Sequence, residues 1–239
     1  MNRFRITPSV IPNLFTAMNM FSGFFSIISA SQGKFIYAGW LIIIAAIFDT
    51  LDGFMARLTK SSSELGVELD SLSDVVSFGA APSFLLYSIY FYQFETFGII
   101  ISSLPLILGG FRLARFNVQL VGFNKSYFTG LPIPSSALTI VCFILSFYDN
   151  GFGETEKQFI IPMVLLLSFL MVSNVKYDTI PKFTISAIKK NPLIYIAYFI
   201  ALIVVIIYTV KGLFFIFVFM IGFGIFRQLF KYFSIKKSE

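Results

Sequence analysis

The chain has 239 residues, 57% hydrophobic and only 13% charged, with 32 Phe and a mean hydropathy of +0.85. Soluble domains carry about 25% charged residues, so this composition excludes a globule that hides its apolar surface from water and makes lipid the natural solvent. A net charge of +6, no His and a single Cys exclude an internal disulfide and confine acid–base chemistry to carboxylates, Lys, Tyr or one thiol.

A membrane-spanning helix needs about 20 mostly apolar residues. In chain order, "MNRFRITPSVIPN" mixes basic and apolar residues as an interfacial segment would. The first expected span, 10–30, carries Asn13, Thr16 and Asn19, and no small-residue cleavage site clearly follows it, so it does not read as a removable signal. Gln32-Gly33 turns the chain into a second span, 35–58. "LTKSSSEL" leads to a third, 68–92, and a fourth follows over 95–120. The remaining spans are expected over 131–148, with Cys142 as packing, 158–174, 192–209 and 212–230. Their breaks are marked by Asp149-Asn150-Gly151, Asn191-Pro192 and Lys211-Gly212. The last break is short enough to predict a tight helical hairpin. The expected fold is therefore all-α: one polytopic integral membrane helix bundle over residues 1–239, with about eight transmembrane helices.

With the N-terminus placed in the cytoplasm, Lys34, Lys157 and Lys211 fall outside and the other fifteen of the 18 Lys and Arg fall inside. That asymmetry obeys the positive-inside rule. It predicts cytoplasmic termini and turns the basic excess toward an anionic inner leaflet. No soluble basic domain is left for binding nucleic acid.

Half of the 12 acidic residues lie between Phe48 and Asp74, at the expected cytoplasmic ends of spans two and three. Asp49 and Asp52 are three apart; Asp70 and Asp74 are four apart. Each spacing stacks two carboxylates on one helix face, with Ala56 four beyond Asp52 and Gly66 four before Asp70. The short connection makes the two helices antiparallel neighbours, so the carboxylate pairs can face each other. Four bare anions at membrane depth would repel and lose hydration. An all-oxygen set without His or Cys suits Mg²⁺, Mn²⁺ or Ca²⁺, ions that commonly serve phosphate chemistry. Snorkelling acids paired with Arg57 and Lys60 are the plainer explanation for one or two carboxylates, but not for four at helical spacing beside Gly53 and Gly66.

The stretch Asp49-x-x-Asp52-Gly53-x-x-Ala56-Arg57, eight residues, then Gly66-x-x-x-Asp70-x-x-x-Asp74 resembles the signature of the CDP-alcohol phosphatidyltransferase family at every fixed position. The resemblance implies a catalytic core within residues 1–150, with 151–239 contributing additional helices. It implies two divalent ions, Mg²⁺ or Mn²⁺, held by Asp49, Asp52, Asp70 and Asp74 against the diphosphate of CDP-diacylglycerol. Asp74 is also implied to be the base that deprotonates the incoming alcohol. Gly53, Ala56 and Gly66 are implied to admit the nucleotide, Arg57 and Ser63 to contact phosphate or nucleotide, and Asn13 to Thr16 to line the same site. Homodimers are common in the family. Glu64 and Glu68 stand outside the motif as solvated charges.

The acceptor is addressed by "GGFRLARFN", Gly109 to Asn117. Arg112 and Arg115 lie near the cytoplasmic end of span four, where positive-inside anchoring alone could explain them. Gly109-Gly110 permits close packing, and Asn117 adds a directional donor. With "FTGLPIPSSA" and "SLSDVVSFGAAPS", the stretch resembles the membrane-embedded phosphatidylserine synthases, which implies L-serine as acceptor. An arginine fork is the expected partner of the serine carboxylate, so Arg112, Arg115 and Asn117 are the expected serine-binding residues. Three alternatives remain open: a relative making phosphatidylglycerophosphate or an inositol lipid, a prenyltransferase, and a transporter with an ion site. The resemblance implies a prokaryotic cytoplasmic membrane, with the active site on the cytoplasmic side.

Overall fold

The computed structural model describes residues 10–59, 61, 63–119, 127–178 and 192–236. The expected interfacial segment before residue 10, and Lys60, Lys125, Lys182, Lys189, Lys190 and Lys237 of the charge count, lie outside them.

Helix α1 (Val10–Ser31) turns a small and polar stripe inward: Thr16, Asn19, Ser22, Gly23, Ser26 and Ser29 are buried. Leu14, Phe21, Phe24 and Ile28 are exposed. This inverts the pattern of a soluble helix, as expected where lipid is the solvent and small residues let backbones approach. Gly33, at φ +76°, makes the turn into α2 (Phe35–Thr59), which runs antiparallel to α1. Ser26 Oγ donates to the Ala38 carbonyl at 2.9 Å, and Gly39 lets Leu145 approach to within 3.0 Å of where a Cβ would sit.

The third span is one helical rod of 26 residues, Glu64–Ile89, made of α3 (Glu64–Asp74), a π-helical segment (Val75–Ala80) and α4 (Ala81–Ile89). It begins four residues earlier than the sequence pattern predicts. Ser63 caps it, accepting from the Gly66 N–H at 3.1 Å, and Glu64 occupies the first turn, where an acidic side chain favours helix initiation. Helix α1 packs along both α2 and this rod, and α2 meets the rod through the π segment and α4.

A 3₁₀ turn (Phe91–Phe94) precedes α5 (Glu95–Gln119), which continues through Pro105. Proline disrupts local helix hydrogen bonding, and here the neighbouring Leu106 N–H donates to Ser83 Oγ of α4 at 3.2 Å. Helix α6 (Ile133–Phe147) is the most enclosed element, packed against α2, α5, α7 and the C-terminal helix. Helix α7 spans Glu154–Val172 and α8 spans Pro192–Lys236. The helix is interrupted at Thr209 (φ 50°, ψ −123°). A Cβ on Gly212 would fall 2.6 Å from the Val204 carbonyl oxygen, whereas residues eight apart in a straight helix are about 12 Å apart. The chain therefore doubles back, and the reversal sits at Thr209 rather than at the expected Lys211-Gly212.

Two short strands were not expected from the sequence. β1 (Tyr127–Thr129) pairs antiparallel with β2 (Lys176–Asp178), with Phe128 opposite Tyr177. At three residues each they are too short to show periodicity, and they pair backbone groups that no helix satisfies. Six described helices are long and apolar enough to cross a bilayer when α8 is counted whole, and α6, at 15 residues, is shorter. The helical membrane bundle is as predicted; a count of eight needs α6 and both arms of α8 to cross.

The bundle has two distinct ends. At one, Phe35 meets Tyr148, Tyr90 meets Phe152, Tyr90 Oη donates to the Lys157 carbonyl and Lys211 lies 6.0 Å from the Phe147 ring centroid. The three basic residues assigned to the outside gather here. Arg57, Arg115, Lys176 and Arg227 lie toward the other end, with the acidic motif.

Candidate active site

Asp49, Asp70 and Asp74 each offer an oxygen within 4.8 Å of the others. Asp49 and Asp74 approach within hydrogen-bonding distance across the gap between α2 and α3. Asp49 and Asp70 are half-buried; Asp74 is buried. Asp52 is absent from the triad. Its Oδ2 instead accepts from Thr16 Oγ1 at 2.9 Å, which ties α1 to the motif.

The donor set is oxygen only, and Oδ1 of both Asp70 and Asp74 is buried with no hydrogen-bond partner. Buried acceptors in this state are costly unless something positive meets them. The residues present therefore fit a hard divalent cation.

Beside the triad, toward the end of the bundle, a crevice of about 110 Å³ opens between α1, α2 and α3, with Asn13, Thr16, Asp52, Gly53, Ala56, Ser63, Gly66 and Asp70 on its walls. Nothing lies within 4 Å of a Cβ built on Gly53, so that wall is bare backbone facing open space. A Cβ on Gly66 would sit 3.1 Å from Ser63 Oγ and 3.5 Å from Asn13 Oδ1. Six of the seven residues expected at the nucleotide are thus brought together. Arg57 is exposed and does not line the crevice. Pro12, Ser61 and Val67 also line it; Ser61 is a hydroxyl of the same connecting turn as the expected Ser63, while the sequence offers no chemistry-bearing signal for Pro12 and Val67.

The three residues expected at serine separate. Arg112 is 5% exposed, interacts electrostatically with Asp74 and lies 5.5 Å from the Phe116 ring centroid. Arg115 turns away. Its Nη1 donates to the Val172 carbonyl at 3.0 Å, and its Nη2 reaches the carbonyls of Thr129, Met171 and Ser173 at 3.2–3.4 Å. These are mainly the open carbonyls at the C-terminus of α7, where a cation is favoured. The structure therefore does not bring the Arg115 guanidinium together with that of Arg112. Asn117 Nδ2 donates to Ser71 Oγ at 2.9 Å, pinning α5 to α3.

A second, larger cavity of about 610 Å³ lies between α6, α7 and α8. Phe143, Phe147, Met163, Phe214 and Val218 line it, with Glu156 as the only acidic residue among its lining.

Residues 9–172 match the CDP-alcohol phosphatidyltransferase family model. The chain is 43% identical over 177 residues to the CDP-diacylglycerol–serine O-phosphatidyltransferase of Helicobacter pylori, covering 72% of this chain and 73% of that one. It is 40% identical over 184 residues to the archaetidylserine synthase of Methanothermobacter thermautotrophicus, covering 75% of each. The Bacillus subtilis CDP-diacylglycerol–serine O-phosphatidyltransferase is 35% identical over 178 residues, covering 72% of this chain and 92% of that one. Among solved structures, Mycobacterium tuberculosis phosphatidylinositol phosphate synthase with CDP-DAG bound matches at a TM-score of 0.52 and 20% identity, over 70% of this chain and 81% of that one. That likeness speaks to the fold.

Proposed function

The chain belongs to the CDP-alcohol phosphatidyltransferase family, and on that premise we propose how its residues carry out the reaction of a phosphatidylserine synthase. It transfers the phosphatidyl group from CDP-diacylglycerol to L-serine and releases CMP. A P–O bond forms between the serine hydroxyl oxygen and the lipid phosphorus. The phosphoanhydride bond to CMP breaks, and the hydroxyl proton passes to a base. The observation that carries the proposal is the convergence of Asp49, Asp70 and Asp74 beside the crevice of α1–α3.

In this reading the crevice takes the cytidine end of the donor. Gly53 lets it lie against α2 backbone, while Asn13, Thr16 and Ser63 offer polar side chains. Asp49, Asp70 and Asp74, with Asp52 alongside, would hold two Mg²⁺ or Mn²⁺ ions, which supply charge neutralisation at the diphosphate when bound. Asp74 is proposed as the base. It is buried within the triad, and Arg112 on α5 acts electrostatically upon it. Arg112 is proposed to receive the serine carboxylate. The site faces the cytoplasm and both termini lie there, supported by the fifteen-to-three split of basic residues and by the gathering of Lys34, Lys157 and Lys211 at the opposite end. The homodimer belongs to the same proposal and rests on the family alone.

The test is the phospholipid formed by purified protein given CDP-diacylglycerol, Mn²⁺ or Mg²⁺, and serine, glycerol 3-phosphate or inositol separately. Phosphatidylserine and stoichiometric CMP with serine alone are expected. Product from either other alcohol, and none from serine, would overturn the acceptor assignment.

A further inference from the structure

We propose that Asn19 is part of the acceptor site, its side-chain carbonyl receiving the ammonium group of the amino-acid alcohol while Arg112 receives the carboxylate; this rests on the serine reading above.

Asn19 is fully buried, and among the described residues neither Oδ1 nor Nδ2 has a hydrogen-bond partner. Leaving both ends of a buried amide unmet is costly, and a helix in lipid has many apolar residues that would fill the position without that cost. Its surroundings place it at the reaction centre. Thr16 and Asn19 share the inward stripe of α1, three residues apart. Thr16 Oγ1 bonds Asp52 and Ser26 Oγ bonds the Ala38 carbonyl, which sets the antiparallel register of α1 on α2. Three residues along α1 from Thr16 therefore reaches the level of Asp49. On the other side, Ser73 Oγ donates to the Thr16 carbonyl at 3.1 Å and Ser77 Oγ to the Asn19 carbonyl at 2.9 Å. Asn19 is thus level with Asp74, whose Oδ1 is also buried and unmet.

Asp52 and the crevice lie on one side of this level, toward the bundle end. Asn19 lies at the level of Asp49 and Asp74, away from the nucleotide crevice, whose walls it does not join. A group there meets the attacking alcohol rather than the departing nucleotide. The chemistry also matches. A zwitterion needs an acceptor for its ammonium and a cation for its carboxylate, and Asn19 and Arg112 come from helices on different sides of Asp74. An acceptor that carries a phosphate would call for a further cation where this neutral carbonyl stands.

The experiment compares wild type, Asn19→Leu and Asn19→Gln, each with its metal, in steady-state kinetics for serine and in competitive inhibition by 3-hydroxypropionate, which lacks the ammonium, and ethanolamine, which lacks the carboxylate. Asn19→Leu is expected to raise serine KM about tenfold, the equivalent of one hydrogen bond to a charged group. Ethanolamine inhibition should weaken alongside it and 3-hydroxypropionate inhibition should stay unchanged. CMP binding should be unaffected in both variants, and Asn19→Gln should recover part of the serine affinity. An equal loss toward both analogues, or a fall in kcat with serine KM unchanged, would make Asn19 a support for the carboxylates and overturn the proposal. Should Asn19→Leu fail to insert or fold, the analogue comparison on Asn19→Gln decides by the same criteria. A wild-type protein that makes no phosphatidylserine would instead defeat the acceptor assignment on which the proposal stands.

Discussion

Two cavities of the bundle differ in size and in lining, and we assign the chemistry to the smaller one. The 610 Å³ space among α6, α7 and α8 is walled mainly by aromatic and aliphatic side chains. The crevice of α1–α3 encloses about 110 Å³, yet it adjoins three convergent carboxylates and is walled by hydroxyls, amides and bare glycine backbone. Pocket size usually guides a search for an active site in water-soluble proteins. In lipid, apolar gaps between helices cost little because acyl chains can occupy them. Buried polar groups, by contrast, must be matched or used. In this solvent, unmatched polarity is the better guide to function.

The sharpest way to break that contrast is to remove charge from the small site. Asp49→Asn or Asp70→Asn is expected to abolish phosphatidylserine formation while the protein still inserts and retains its helix content. EDTA should do the same to the wild type, and Mg²⁺ or Mn²⁺ should restore it. Full turnover in EDTA would remove the metal from the reading. Asp74→Asn should lower kcat by about 10²–10⁴, the usual cost of losing a general base, with CDP-diacylglycerol binding largely kept. Near wild-type turnover of this variant would place the base elsewhere.

A smaller effect separates the two arginines. Arg112→Lys keeps the charge but loses the planar fork, and serine KM should rise about tenfold, more than kcat falls. Arg115→Lys should leave serine KM within about twofold and lower thermal stability by ~1–3 kcal/mol as the carbonyls of α7 lose their donor. The reverse pattern would restore Arg115 to the substrate. The least effect belongs to the large cavity. Gly222→Leu projects a side chain into it where nothing lies within 4 Å of the new Cβ, and kcat/KM for serine should stay within about twofold. A tenfold loss would show that the apolar space takes part in turnover.

Much of this contrast was legible in the sequence. Spans one and two were predicted over 10–30 and 35–58 and run Val10–Ser31 and Phe35–Thr59, because long apolar runs broken by Gln32-Gly33 leave little choice. The four aspartates announce themselves by helical spacing. The separation of Arg115 from Arg112 was not legible, because the partners of Arg115, Thr129 and the end of α7, are 14 to 58 residues away in the chain, and sequence does not show which guanidinium turns toward them. Asn19 was visible as a polar residue at three-residue spacing from Thr16, but its burial and unmet amide exist only once α1, α2 and the rod are assembled. The start of α3 could have been found from Ser63 and Glu64 as a cap and first turn. The π segment could not, since i→i+5 and i→i+4 bonding leave no distinct trace in six residues.

That π segment is a phase shifter. It accommodates one residue more than an α-helix needs for the same path, and one residue is worth about 100° of helical rotation. Asp70 and Asp74 before it, and Ser83 after it, therefore face directions that an uninterrupted helix would not give together. Ser73 and Ser77 lock the rod to α1, while Ser83 serves the α5 backbone beside Pro105. Deleting one residue between Val75 and Ala80 would let the rod become regular and locally better bonded. The same deletion would force a choice between aiming the aspartates at α2 and seating α4 on α5. The irregular turn is what lets one rod be a wall of the reaction centre at one end and a structural strut at the other.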